Sequence, residues 1–256
     1  MTQTPPVVDL NADLGESFGA WKLGDDAALM KIITSANVAC GFHAGDPLTL
    51  RRTCALAAAQ GVTIGAQVSY RDLAGFGRRE MEVPPDELAA EVLYQISALD
   101  GIARAEGAQV RYVKPHGALY NRAVRDSVQA AALVDAIRSY DRTLPLLTLS
   151  GSQAAQVARA QGLTVIGEAF ADRGYNDDGT LVPRGQPGAV RTDSAEVAAR
   201  AVAMVTKGEV QSANGRIVPI AARSLCIHGD TPGAIALALA VRRGLAEAGV
   251  RLAPFA

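Results

Sequence analysis

Seven short apolar runs, each followed by a longer stretch of helical periodicity, constrain this chain more than any other feature. The runs are Val7 to Leu10, Asn37 to Cys40, Val62 to Ala66, Val110 to Lys114, Leu146 to Leu149, Leu163 to Ile166 and Ser224 to Ile227. Helix signals separate them. Asp46-Pro47 offers an N-cap with proline at the first helical position, Leu50, Cys54 and Ala57 recur on one face, and Gly61 supplies the stop. Further on, Pro85-Asp86 opens a segment whose Leu88, Val92, Ile96 and Leu99 share a face, and Gly107 follows its end. Strands joined by crossover helices lie parallel and are covered on both faces, which leaves an open doubly wound sheet or a closed (β/α) barrel.

The turns choose between these two. Nearly every apolar run ends in a polar, glycine-bearing segment: NADLGES, GFHAGD, QVSYRDLAGFGRR, KPHGALYN, LSGS, GEAFADRGYND and HGDTPG, in chain order. An open sheet loads its site around one switch point, whereas a barrel builds it from the loops after all its strands. The expected fold is therefore an α/β chain forming one (β/α) barrel domain over residues 1–256, with seven or eight strands. At 256 residues and 49% hydrophobic, the chain can bury one large core.

All three histidines, His43, His116 and His228, fall just past the ends of apolar runs, each with a glycine adjacent or two residues away. A lone histidine is ordinarily a satisfied core or surface residue. Three in parallel contexts point instead to acid–base work at the rim of a barrel. Along VDLNADLGE, Asp9, Asn11 and Asp13 alternate with Val8, Leu10 and Ala12, so an extended chain points the polar set to one side, toward the lumen. Asp13, Glu16, Glu168 and Asp172 could orient an imidazole, take a proton or hold a metal. Asp46 and Asp230 are either site residues or helix N-caps, since proline stands just beyond each. Lys114, one of only four lysines, lies directly before Pro115-His116, and a cation there, like Arg173, suits an anionic substrate.

Several chemistries are set aside. No G-x-x-x-x-G-K-[ST] and no helix-opening G-x-G-x-x-G is present. Cys40, Cys54 and Cys226 are odd in number and form no CxxC, so neither a disulfide framework nor a zinc knuckle is expected, and a reducing cytoplasm fits. Cys40 and Cys226 precede His43 and His228 closely, but both sit in apolar runs where an inert thiol is the ordinary outcome. With 25 basic and 26 acidic residues and no basic stripe, nucleic acid is not an expected partner. The opening MTQTPPVVDLNADLGES has no basic or long apolar stretch, and Ala234 to Val241 is too short to span a bilayer, so no membrane association is expected.

At these same residues a resemblance emerges. VDLNADLGESFG, ANVACGFHAGDP, GFGRREM, VKPHGALYN, GEAFADRGY and HGDTPGA resemble, in order, the signature segments of the LamB/YcsF family of 5-oxoprolinase A subunits. The resemblance implies a seven-stranded (β/α) barrel of the glycoside hydrolase/deacetylase type. It also implies ATP-dependent opening of the lactam 5-oxoproline (pyroglutamate) to L-glutamate, in company with subunits B and C. ATP would then be handled with those partners, in keeping with the missing P-loop, and self-association of this chain is left open.

On that reading Lys114 or Arg173 holds the substrate carboxylate, with Asn11, Gln67 and Asp46 as further substrate contacts. His43, His116 or His228, oriented by Asp13 or Glu168, activates water or protonates the ring nitrogen. Many family members read GAHP where this chain reads Gly65-Ala66-Gln67-Val68. Deacetylases of similar fold hold a divalent metal with Asp and His, which here would call on Asp13, His43 and His116. Gln67 weakens that reading, because glutamine is a poor zinc ligand though a good partner for a lactam, and no metal is assigned. Two other readings keep the barrel: a stand-alone metal-dependent amide or N-acetyl hydrolase, and a non-catalytic subunit that presents substrate to a partner.

Overall fold

The computed structural model describes residues 5–231 and 233–256. Eight-residue strand β1 (Val7–Leu14) opens a repeating strand–helix order. It continues α1 (Asp26–Leu29), β2 (Ser35–Ala39), α2 (Pro47–Gln60), β3 (Thr63–Val68), α3 (Pro85–Ala105) and β4 (Val110–Pro115). Two helices, α4 (Gly117–Arg125) and α5 (Ser127–Asp141), precede β5 (Leu146–Thr148), followed by α6 (Gln153–Ala160) and β6 (Val165–Phe170). The last part holds α7 (Ser194–Thr206), β7 (Glu209–Gln211), β8 (Ile217–Pro219), β9 (Ser224–Ile227), α8 (Ala234–Glu247) and β10 (Arg251–Leu252).

Seven of these strands form a closed parallel barrel in the order β1-β2-β3-β4-β5-β6-β9, with β9 pairing back onto β1. Asn11 faces Cys226 across that seam and Ala12 faces Ile227. The expected (β/α) barrel is therefore the fold, with seven strands in the wall. Strand β10 adds to the outside of β1, and β7 and β8 form a separate antiparallel hairpin that no apolar run announces. Among the described residues no helix is long and apolar enough to cross a membrane.

Period-two alternation sorts each strand between two interiors. Val8, Leu10, Ala12 and Leu14 pack outward against the helices in the large apolar core, together with Leu88, Val92, Ile96 and Leu99 of α3. Asp9, Asn11 and Asp13 point into the lumen, as the sequence pattern requires, and all three are buried. The bottom of the lumen is apolar, with Tyr112, Leu147 and Ile166 packed together and the Phe255 ring 4.9 Å from Tyr112. Gly65 makes room there: a Cβ at this position would meet the Tyr112 ring at 2.2 Å. The Tyr112 hydroxyl is thereby able to donate to Asn37 Oδ1 at 2.6 Å, across β3.

One strand boundary differs from expectation in a way that matters for chemistry. The sixth strand runs Val165–Phe170 rather than stopping at Ile166, because GEAF continues the β6–β9 ladder, pairing Glu168 with Ser224 and Phe170 with Cys226. Glu168 is thus a lumen residue on a strand, not part of a rim loop.

Candidate active site at the carboxyl end of the barrel

A polar network fills the lumen above its apolar floor. Asp9 accepts from Thr34 Oγ1 and Ser35 Oγ, both at 2.6 Å, and from Ser224. One layer higher, Asn11 donates to Ser224 Oγ at 2.6 Å and accepts from Asn37 Nδ2 at 2.7 Å. Both of these Asn11 partners are strand side chains. Asn11 therefore belongs to the barrel interior beneath the cavity, which corrects its expected place among the substrate contacts.

Lys114 occupies the centre of the next layer. Its Nζ donates to Asp13 Oδ1 at 3.0 Å, lies 2.8 Å from Glu168 Oε1 and 3.1 Å from Cys226 Sγ. Burial alone would strip the proton from this lysine, but Asp13, Cys226 and Glu168 override it and hold its pKa well above the ordinary value. Asp13 behaves reciprocally: burial opposes its ionisation, and Lys114, followed by His228 and His116, holds it below the usual carboxylate range. Lys114 lines the cavity, yet its charge is committed to two protein carboxylates, so its first role is to stabilise them rather than to wait for a substrate anion.

Above this layer lies a cavity of about 460 Å³ whose wall includes Asp13, Arg78, Lys114, His116, Tyr120, Phe170, Arg184 and His228. Loops after the strands supply most of it, as expected of a barrel site. The histidines divide into two groups. His228 follows β9, and its Nδ1 sits 2.9 and 3.1 Å from the two carboxylate oxygens of Asp172, just past β6. The His228 backbone N–H also donates to Asp172 Oδ2 at 3.2 Å. Burial opposes ionisation of Asp172, and its contact with His228 prevails, holding the carboxyl below its ordinary value. Phe170 stacks on the His228 ring with centroids 5.4 Å apart and planes 17° apart. With Nδ1 tied to a carboxylate, Nε2 is the nitrogen left for the cavity.

His43 and His116 form the second group, stacked 4.1 Å apart with planes 15° apart. Gln67 bridges them, with Oε1 3.2 Å from His43 Nε2 and Nε2 3.1 Å from His116 Nδ1. An amide can satisfy both only if His43 carries its proton on Nε2 and His116 leaves Nδ1 bare, an assignment that also lets His116 Nε2 donate to the Phe76 carbonyl at 3.1 Å. Burial lowers the His43 pKa to about 4 and, with His43 itself, drives that of His116 well below the ordinary value. Both rings are neutral near pH 7. Glu16, which the sequence suggested only as one carboxylate among several, reaches this pair: Oε1 lies 3.9 Å from His43 Nε2 and 3.8 Å from His116 Nδ1.

The third-strand loop closes over the pair. Phe76 sets its ring edge-on to both imidazoles and holds a left-handed backbone at φ 55°. Gly77, at φ 67°, passes so near that a Cβ would meet Ser69 Oγ at 2.3 Å and His43 Cβ at 2.9 Å. Arg78 then reaches across the mouth to Asp230, with Nη2 2.5 Å from Oδ2. In the sequence this loop shows as a polar turn and, through GFGRREM, as a signature segment, without its contact to the histidines.

Two further expected contacts change character. Asp46 is a helix cap: it accepts from Leu48 N at 3.0 Å, Thr49 N at 3.1 Å, Thr49 Oγ1 at 2.6 Å and Gly19 N at 3.0 Å, and it is no part of the cavity wall. Arg173 does line the cavity, but Nε donates to Ala189 O at 3.0 Å and Nη2 to Val182 O at 2.7 Å, pinning the loop after β6. Burial and the neighbouring Arg184 lower its pKa to about 10. Arg184, absent from the sequence argument, is among the described residues the cation left facing the cavity, its nearest ion-pair contact being 4.0 Å from Asp230.

The fit to a metal can be tested on these contacts. Asp13 spends Oδ1 on Lys114 and Asn37, at 3.0 and 2.8 Å, and its Oδ2 lies 3.9 Å from His116 Nδ1. The tight trio is instead Glu16, His43 and His116, whose donor atoms all fall within 4.8 Å of one another. Of the residues a metal reading called on, Asp13 is engaged elsewhere, and Glu16 stands with His43 and His116.

Comparison with known proteins agrees with this architecture. The model of the LamB/YcsF family matches residues 8–256. A Streptomyces avermitilis protein, named as the A subunit of 5-oxoprolinase, is 62% identical over 250 residues, covering 98% of this chain and all of that one. The crystal structure of a lactam utilization protein from Thermus thermophilus superposes with a TM-score of 0.92 at 47% identity, over 97% of this chain and 99% of that one. A T48 deacetylase structure, at 13% identity and a TM-score of 0.50, shares the fold alone; the match spans 97% of this chain and 87% of that one.

Proposed function

Because this chain belongs to the LamB/YcsF family, we propose that it is the A subunit of a 5-oxoprolinase, opening the lactam of 5-oxoproline to L-glutamate. The full-length identity to a relative of that name supports the reading. So does the chemistry. A five-membered lactam recloses readily, so hydrolysis needs a driving force, and phosphorylation of the amide oxygen by ATP would supply it together with a better electrophile. The nucleotide step would fall to an assembly with subunits B and C.

The single observation that carries a catalytic role for this chain is His228 in the cavity wall with Asp172 behind it. An imidazole whose Nδ1–H is held by a carboxylate presents Nε2 to the cavity as a proton acceptor. His228 would take a proton from water attacking the activated ring carbon and return it to the departing ring nitrogen, leaving an acyl phosphate that a second water cleaves to the carboxylate and inorganic phosphate, while Asp172 holds the tautomer and stabilises the imidazolium. Arg184 would take the substrate carboxylate, since Lys114 and Arg173 are engaged by protein acceptors.

Glutamate release from 5-oxoproline, measured with and without ATP and with and without the B and C subunits, tests this. ATP-dependent release in the mixture is the expected result. Release by this chain alone without ATP, abolished by a chelator, would instead establish the stand-alone metal hydrolase. Turnover by the mixture that survives His228→Ala would reduce this chain to a substrate-presenting role.

A further inference from the structure

The trio Glu16, His43 and His116 raises a question that its hydrogen bonds leave unanswered. Glu16 Oε1 is buried and has no hydrogen-bond partner among the described residues, although it stands 3.8 and 3.9 Å from two imidazole nitrogens. His43 Nδ1 is likewise buried and without a partner among them, so the ring's one proton can move there and leave Nε2, the nitrogen 3.9 Å from Glu16, bare to ligate. Folding rarely leaves such atoms unmatched, because each costs about 1–3 kcal/mol in lost hydration. Three donors of mixed nitrogen and oxygen type converge here from the loops after β1, β2 and β4, in a pocket wall that Phe76 and Gly77 shield.

We propose that Glu16, His43 and His116 bind one first-row divalent transition-metal ion, zinc or a close relative, with Gln67 Oε1 beside the fourth vertex. Bonds of about 2.0–2.1 Å in a tetrahedron set donor–donor edges near 3.4 Å, so the observed 3.8 and 3.9 Å edges close with small side-chain shifts. His116 Nε2 already donates to the Phe76 carbonyl, the outer-shell contact that keeps Nδ1 unprotonated, so an ion there displaces only the Gln67 N–H that Nδ1 now accepts. Two imidazoles and one carboxylate favour such an ion over calcium or magnesium, which prefer oxygen alone. The other cluster of ligand type, Asp13, Cys226 and His228, does not compete, because Lys114 Nζ already sits 3.0 Å from Asp13 and 3.1 Å from Cys226 as its cation. Metal binding by this trio is independent of the lactam reaction proposed above, and turnover takes no part in its test.

The full chain, stripped with a chelator and dialysed, is titrated calorimetrically with Zn²⁺, Mn²⁺ and Ca²⁺, with elemental analysis for stoichiometry and Co²⁺ absorption for coordination. One Zn²⁺ per chain is expected, with Ca²⁺ much weaker. Glu16→Gln and His43→Ala should each weaken Zn²⁺ binding roughly 100-fold, and Cys226→Ser should leave it unchanged. Gln67→His offers a gain that a folding defect cannot imitate: the added imidazole should tighten Zn²⁺ roughly tenfold and shift the Co²⁺ spectrum. Absence of stoichiometric Zn²⁺ on the unmodified chain would overturn the proposal. So would affinity indifferent to Glu16→Gln, His43→Ala and Gln67→His, or affinity abolished by Cys226→Ser.

Discussion

The same residue type does opposite things on two sides of one rim. His228 is backed by the Asp172 carboxylate at 2.9 Å, whereas His43 and His116 are joined through the uncharged amide of Gln67. A carboxylate behind an imidazole fixes its tautomer and turns Nε2 to the cavity. An amide between two imidazoles, in a dry pocket, favours neutral rings with lone pairs to spare. The lesson is that a histidine's role is set by what holds its far nitrogen.

The sharpest way to break this comparison is to remove the carboxylate-backed side. In the assembled complex, His228→Ala should lower kcat for glutamate release by roughly 10²–10⁴-fold with the fold intact by circular dichroism, the range expected of a positioned general base. Asp172→Asn should lose less, since it disturbs the tautomer and leaves the ring in place. If both variants turn over normally, the carboxylate-backed histidine is structural and the division fails.

A second experiment addresses the lysine that lies between the two sides. Lys114→Met leaves Asp13 and Glu168 buried without their cation, which should cost about 3–5 kcal/mol in urea denaturation. A loss below about 1 kcal/mol would mean that the two carboxylates are stabilised by other groups. Gln67→Leu probes the neutral side alone: two imidazole nitrogens lose their partner, for about 1–3 kcal/mol by the same measurement.

Smaller effects sharpen the boundary of the site. Asp46→Ala should destabilise by about 1 kcal/mol through loss of the α2 cap and leave KM for 5-oxoproline unchanged. A large rise in KM would restore Asp46 to the substrate contacts. The Asp172–His228 pairing also predicts an acid dependence. A carboxyl held below its ordinary 3.8 in the folded state contributes stability above that value and loses it as pH falls below it toward the folded value. Acid unfolding of Asp172→Asn should therefore be shallower below about pH 4 than that of the unmodified chain.

The barrel was legible because apolar runs alternate with helical stretches and nearly every run ends in a polar, glycine-bearing turn. Asp9, Asn11 and Asp13 against Val8, Leu10 and Ala12 gave the two interiors directly, and the rim position of all three histidines followed from the strand ends. What the sequence could not convey is the sorting of polar groups by depth. Asn11 and Asp13 are two residues apart, yet one is buried beneath the cavity and the other lines it. Arg173 and Arg184 are both plausible anion ligands until the loop's carbonyls claim the first. Glu16 stood in plain view, but only the fold of the loop after β1 brings it to His43 and His116. The β7–β8 hairpin was missed because Glu209–Gln211 and Ile217–Pro219 are too short and too exposed to show a pattern.

The seam where β9 returns to β1 has a consequence for synthesis. Asp13 emerges from the ribosome near the beginning of the chain, while its neighbours Cys226 and His228 emerge more than two hundred residues later. The six earlier strands can pair in order as they appear, but the lumen around Lys114 has no final wall until Ser224–Ile227 arrives. The nascent polypeptide thus carries scattered acids and bases without a working pocket, and chemistry becomes available only when the ends of the wall meet.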